Sequence, residues 1–322
     1  MLHCFAEIVK LYAINKQTRE KSNVVEEVWL LGQPPLRSYL DFVKDTVIDG
    51  NTLDPKKLTD EWREANDYYH ELEEREFGIA DKAECRDLDP ALVPLAEAIA
   101  ANPYYRHTFD TLPTSFAMVE LDRLIVYQTS VTRNFVDALK AKIGPKPDPA
   151  TLFHVCLPQE HPSAPVHAQK VGSRRYVFRL DSVDFRFHRV ALLQPDQLQN
   201  YYSFGPISGV AGVVVGFGSN FLNVIRADNR LLLHNGYHRA CALRALGVTH
   251  VPCIVQTVTR LDELELTAKT IVVEDPDFYF KTARPPLLKD FFDPKIRKIL
   301  PVRKLVKMIE VNFEVKEYLL PE

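Results

Sequence analysis

One stretch constrains this chain more than any other. An apolar run, Leu231, Leu232 and Leu233, leads through His234, Asn235 and Gly236 into Tyr237–Leu246; Gly247 follows, and then Val251, Pro252, Cys253, Ile254 and Val255. The order reads as strand, glycine turn, short helix and second strand. A strand that meets a helix N-terminus through glycine is an anion site in outline. Free backbone N–H groups converge there with the positive end of the helix dipole. His238 and Arg239 fall in the first helical turn. Counted at about 100° per residue, Ala242, Leu243 and Leu246 face inward with Arg239, while Arg244 lies on the far side beside Tyr237 and Cys241. An inward arginine needs a partner, because an unpaired buried charge is strongly unfavourable. Two partners fit: a structural carboxylate such as Asp122 or Glu120, or a ligand phosphate held bidentately.

Composition narrows the classes. The 322 residues are 46% hydrophobic and 26% charged, with a formal net charge of -3, which is ordinary globular composition without a global drive toward nucleic acid. The five cysteines (Cys4, Cys85, Cys156, Cys241, Cys253) include no C-x-x-C pair. Free thiols in a reducing, cytoplasmic setting are expected rather than disulfides or a zinc site. The N-terminus lacks the pattern of a signal peptide. Residues 200–225 carry no charged side chain, but they are broken by glycine, proline and serine, so a membrane span is not expected. His154, His161, His167 and His188 match no metal-ligand spacing.

Along the chain, residues 1–114 read as a mostly helical region. Helices are expected at Leu36–Val47, after an N-cap at Thr59, and at Pro90–Ala101. The charge run His70–Glu76 contains paired carboxylates, and it reads as a solvated helix face rather than a catalytic pair. A core is expected over 115–275, with a strand at Ser115–Glu120, an extended piece at Leu124–Tyr127 and a helix capped by Thr132 and ending near Gly144. A β-rich insertion is expected at about 145–220, where Tyr176, Phe178 and Leu180, then Phe185 and Phe187, alternate across a turn near Ser182 and Asp184. Arg174, Arg175, Arg179, Arg186 and Arg189 make that strand pair basic. Five of the 12 glycines lie between Gly205 and Gly218, a loop that reads either as a ligand lid or as a connector. Asp228 and Asn229 suit a hairpin turn, and Leu261–Ala268 looks helical. Residues 276–322 form a C-terminal extension with a basic tail and a last strand through Ile309, Val311, Phe313 and Val315.

The motif Asn235-Gly236-Tyr237-His238-Arg239-Ala240, with the helix to Gly247 and the Val251-Pro252 strand, resembles the phosphate-binding segment of the ParB/sulfiredoxin superfamily. Leu121-Asp122-Arg123-Leu124 with Tyr127-Gln128 is similar to the segment that opens this fold. Together the matches span about residues 115–260. The resemblance implies an α+β fold with a ParB/sulfiredoxin-like core. It implies nucleotide or phosphate binding by Asn235, Gly236, Tyr237, His238 and Arg239, with Gln128 as a further contact. Tyr237 stands where sulfiredoxins carry their reactive cysteine, so sulfinic-acid reduction is not implied. Asn235 replaces the aspartate of the free serine kinases of this superfamily, and Gln128 sits near their catalytic glutamate. An amide cannot act as a general base, so that activity would need another carboxylate, of which Glu120 is one candidate. No helix-turn-helix unit follows Val255, unlike in ParB proteins.

The expectation is therefore a protein that binds a nucleotide (CTP, ATP or ADP) or another phosphorylated small molecule, with Mg²⁺ between the phosphates. NTP hydrolysis or phosphotransfer is the implied reaction class. A DNA-associated regulator and a non-catalytic interaction module are the alternatives.

Overall fold

The computed structural model describes residues 23–159, 166–180, 185–197 and 205–319. The chain divides into two compact units: Met1–Glu160 with Asn220–Lys304, and His161–Ser219 with Leu305–Glu322. In chain order the strands are β1 Val24–Leu30, β2 Cys85–Asp87, β3 Thr114–Glu120, β4 Ser130–Thr132, β5 His167–Lys170, β6 Arg175–Leu180, β7 Phe185–Leu193, β8 Val210–Phe217, β9 Asn223–Ala227, β10 Arg230–Asn235, β11 His250–Val258, β12 Arg297–Arg303 and β13 Lys307–Asn312. The longer helices are α1 Leu36–Thr46, α2 Pro55–Arg75, α3 Val93–Ala100, α4 Pro103–Thr108, α5 Arg133–Ile143, α6 Pro149–Cys156 and α7 Tyr237–Ala245. Helices and separate sheets make this an α+β protein.

The first unit is built on a five-stranded sheet ordered β10-β9-β11-β3-β2. β9 and β10 form a hairpin whose turn holds Asp228 at φ 52°. β11 runs parallel to β9 and antiparallel to β3. The near-continuous apolar runs of β9, β10 and β11 follow from burial on both faces. Leu231 and Leu233 enter one core cluster with Val224, Val251 and Leu243. Leu232 enters the other with Ile225, Val258 and Leu287. That split is the period-two alternation of a strand, and each fully buried leucine contributes on the order of 1.5–3 kcal/mol. The outer edge of β10 is covered by the segment around Ile125, whose N–H donates to Leu231 O while its carbonyl accepts from Leu233 N. A second sheet, β12-β1-β4, packs with α1 and α2 around Trp29, Tyr39, Val43 and Tyr69. Fully buried Arg284 ties α2 to the C-terminal segment: its guanidinium donates to both oxygens of Asp290 at 3.0 and 2.6 Å and to Glu76 at 2.8 Å.

The second unit contains a three-stranded antiparallel sheet, β13-β6-β5, and a two-stranded ribbon of β7 and β8. Tyr176, Phe178 and Leu180 lie on one face of β6, opposite Val311, Ile309 and Lys307 of β13.

Several sequence expectations change. Beside its helices, the region 1–114 holds β1 and β2, which join sheets made by later strands. Its second helix starts at Pro55 under an Asp54 cap that accepts from Lys56 N. Thr59 sits inside that helix, with its hydroxyl donating to Pro55 O. Residues 149–156 form helix α6 in the first unit rather than part of a β-rich insertion. The extension after 276 is shared between the units, because β12 pairs with β1 while β13 pairs with β6. β6 and β7 do not pair with each other; the expected turn at Ser182 and Asp184 lies outside the described residues. The glycine-rich stretch is neither lid nor connector over most of its length, since Val210–Phe217 is strand β8. Residues 261–266 are a short 3-10 turn. Among the described residues no helix is long and apolar enough to cross a membrane.

Candidate functional site

The Gly236 turn converts β10 directly into α7. Gly236 caps the helix at φ 100°, ψ 21°, and no cap side chain accepts from the first-turn amides. A Cβ at this position would meet Leu222 Cγ at 2.9 Å, so both conformation and space call for glycine. Asn235 donates from Nδ2 to Phe221 O at 2.9 Å. Beside it His234 Nδ1 lies 3.0 Å from Asn223 Oδ1. These contacts fix the turn against the start of β9.

Tyr237 is buried, contrary to the far-side placement expected from the helical count, and so is Cys241. Helix α7 is enclosed on most of its circumference, which a single inward stripe does not anticipate. The Tyr237 hydroxyl donates to Leu233 O at 2.8 Å and accepts from the N–H of Tyr127 at 3.1 Å and of Gln128 at 3.4 Å. Burial raises its pKa well above the ordinary phenol value. It acts as a clamp holding residues 127–128 beside the helix N-terminus. Gln128 turns its Nε2 to Ser130 O at 2.5 Å.

His238 Nε2 accepts from the Thr132 N–H at 3.1 Å. The ring proton is thereby assigned to Nδ1, and the ring meets Phe135 edge-on with centroids 5.0 Å apart. Desolvation, aided by the neighbouring Arg239 charge, lowers the His238 pKa to about 4. The imidazole is neutral near pH 7.

Arg239 takes neither of the carboxylate partners anticipated for it. Its Nη1 is directed at three main-chain carbonyls, Val155 O at 3.2 Å, Cys156 O at 2.9 Å and Asn220 O at 2.6 Å. Two of these are carbonyls at the C-terminus of α6, where unsatisfied acceptors and the negative dipole end both favour a cation. Asp122 instead pairs with Arg244 at 2.5 Å. Glu120 accepts from Arg123 at 2.9 Å and from Glu84 N at 3.2 Å. It stands opposite His250 in the β3–β11 register, near the C-terminal end of α7 and therefore away from Gly236. The turn thus gathers Asn235, Gly236, Tyr237, His238, Arg239 and Gln128, and leaves Glu120 outside.

The carboxylate the sequence reading missed is Glu27. It stands opposite Thr132 in the β1–β4 register and accepts from the Thr132 hydroxyl. The same Thr132 offers its N–H to His238. Burial raises the Glu27 pKa, partly offset by hydrogen bonds from Thr132 and Ser130. The signal was a pair of glutamates inside the run Val24-Val25-Glu26-Glu27-Val28-Trp29-Leu30, where period two puts Glu27 on the face of Val25 and Trp29.

No group of three or more His, Cys, Asp or Glu that could hold a metal occurs among the described residues. Of the five cysteines, Cys156, Cys241 and Cys253 are buried free thiols and Cys85 is exposed. Burial pushes the Cys156 and Cys241 thiols up to about 12, which makes them poor nucleophiles. The basic C-terminal stretch is largely engaged internally: Lys289 with Glu76 at 2.7 Å, Arg297 with Phe291 O at 2.9 Å, and Lys298 with Glu61. In the second unit Arg175 lies 3.9 Å from Glu310.

Comparison with known protein families, with curated proteins and with solved structures gives no match to this chain.

Proposed function

We propose that the turn at Gly236 binds a phosphate group of a nucleotide or another phosphorylated small molecule, in the manner of the ParB/sulfiredoxin superfamily. The observation that carries this reading is the glycine cap itself. A left-handed glycine brings the first-turn amides of α7 to the end of β10 without a cap side chain accepting from them, and such amides at a positive dipole end favour an anion. His238 is neutral and accepts from the Thr132 N–H, so its ring adds no charge of either sign to the site. Backbone N–H groups from Gly236 onward and the side chains of Asn235 and Gln128 line the cradle. Arg239 contributes positive potential while holding the α6 carbonyls. Phosphoryl transfer or nucleotide hydrolysis is the reaction class that follows from the resemblance, with Mg²⁺ neutralising charge between phosphates when bound. Glu27 is better placed than Glu120 to receive a proton there.

A second reading has its own support. With Nη1 of Arg239 bound to three carbonyls, the motif also serves as an internal brace, as expected of a non-catalytic interaction module.

A thermal-shift panel with CTP, ATP, ADP and GTP, each with and without Mg²⁺, separates the two. A ligand at a hundredfold excess over its Kd stabilises the fold by about 2.7 kcal/mol, so at least one nucleotide is expected to raise the melting temperature. No shift with any of them at millimolar concentration favours the brace.

A further inference from the structure

Among the described residues each sheet has two outer strands, and all but one of those strands carry a feature that discourages pairing with another chain. β2 and β4 have three residues each. β5 has four residues and includes Lys170. The edge of β10 is covered by the Ile125 segment. β12 carries Arg297, Lys298, Pro301 and Arg303, and β13 carries Lys307 and Glu310. β7 carries Arg186 and Arg189, and its register shifts between Phe187 and Arg189. Charges, proline, brevity, bulges and cover are the devices that blunt sheet edges.

β8 has none of them. Its eight residues, Val210-Ala211-Gly212-Val213-Val214-Val215-Gly216-Phe217, contain no charge and no proline, and the shift in the ribbon falls on the β7 side. Among the described residues the strand pairs with β7 alone. Its backbone groups facing away from β7 have no partner among the described residues. Four valines give it high strand preference.

We propose that this edge pairs antiparallel with β8 of a second copy of the chain, making a four-stranded sheet ordered β7-β8-β8-β7. The occupant is a second copy because a strand without charge meets its own copy without repulsion, whereas a charged partner strand would gain nothing from β8 beyond backbone bonds. Pairing of one surface patch with itself about a two-fold axis is also the commonest route to a closed oligomer. A two-fold axis perpendicular to the sheet keeps each side chain on its own face. One residue then stands opposite its own copy, and Val213 and Val214 lie at the centre of the strand. Val214 is 40% exposed, so the residue can be changed without opening a core.

Light scattering on the full chain after gel filtration tests this. The wild type is expected at twice the chain mass, and Val214→Lys at one chain mass with the far-UV circular dichroism spectrum of the wild type. In a background with Cys4 and Cys85 changed to serine, Val213→Cys or Val214→Cys, whichever lies on the axis, is expected to form an interchain disulfide on mild oxidation. Leu192→Cys, on β7, is expected not to. A monomeric wild type overturns the proposal. So do a dimer that survives Val214→Lys, an open series of larger species, and failure of both cysteine variants to cross-link.

Discussion

At Arg239 a single guanidinium nitrogen meets the end of one helix and the start of the segment leading to β9, while the adjacent His238 receives the N–H at the head of another. Both residues belong to the motif that suggested phosphate binding, and both are bonded within the fold. The consequence for His238 is a pH dependence. Its folded pKa, lowered to about 4 from 6.5, means that the unfolded chain binds a proton first as pH falls. The neutral ring therefore stabilises the fold fully above about pH 6.5, and that contribution is lost progressively as pH falls toward 4. Replacing His238 with glutamine, which keeps an acceptor but does not titrate, should flatten the stability curve in that window by roughly 1–3 kcal/mol. Urea titrations at pH 7 and pH 4.5 check this; an equal loss in both proteins would show that His238 does not sense the pH. In the sequence, the glycine at 236 was legible because it follows an apolar strand and precedes a helix. The partners of Arg239 were not. They are main-chain carbonyls of α6, and a side chain's identity says nothing about which distant helix end will come to rest against it.

At the scale of elements, α7 is where two other helices and a strand meet. Tyr237 clamps the chain just before β4, His238 contacts the head of α5 through Thr132, and Arg239 holds the tail of α6. Arg239→Ala leaves three carbonyls without their shared donor and should cost about 1–3 kcal/mol. Arg239→Lys should lose less, because the cation remains at the helix C-terminus while the planar fork does not. Equilibrium unfolding of both variants measures the difference, and unchanged stability in Arg239→Ala would remove the bracing role. Loss of ligand binding in that variant thus reports on the site only once its folding is normalised. Elements whose signal is local were readable: the β9–β10 hairpin through Asp228, α7 up to Gly247, α5 after Thr132, and β3 and β11. The strands β1 and β12 were not, because neither carries a clean alternation and their pairing, from Val24↔Arg303 to Leu30↔Arg297, joins residues far apart in the chain. β8 was hidden by its glycines, which suggest a loop but leave a valine core able to extend.

At the scale of the whole molecule, the chain order does not follow the units. The first unit is interrupted by residues 161–219 and the second is completed by residues from 305 onward. A division into consecutive blocks ends the insertion where the structure does, near 219–220, but starts it about 15 residues too early and does not show that residues from 305 onward belong to the same unit. The N-terminal region is likewise not an appendage, since Glu27 reaches Thr132 from within it. The α+β class was legible from the alternation of helical and extended patterns; the joining of the first and last strands of the first unit was not. The central claim remains the phosphate cradle at Gly236, and its most direct test is an amide NMR titration of the full chain with inorganic phosphate and then with each nucleotide. Saturable shifts of the Gly236, Tyr237, His238 and Arg239 amides are expected, with the amides of β8 unmoved. If those four stay in place at millimolar ligand, or the largest shifts arise elsewhere, the claim is contradicted.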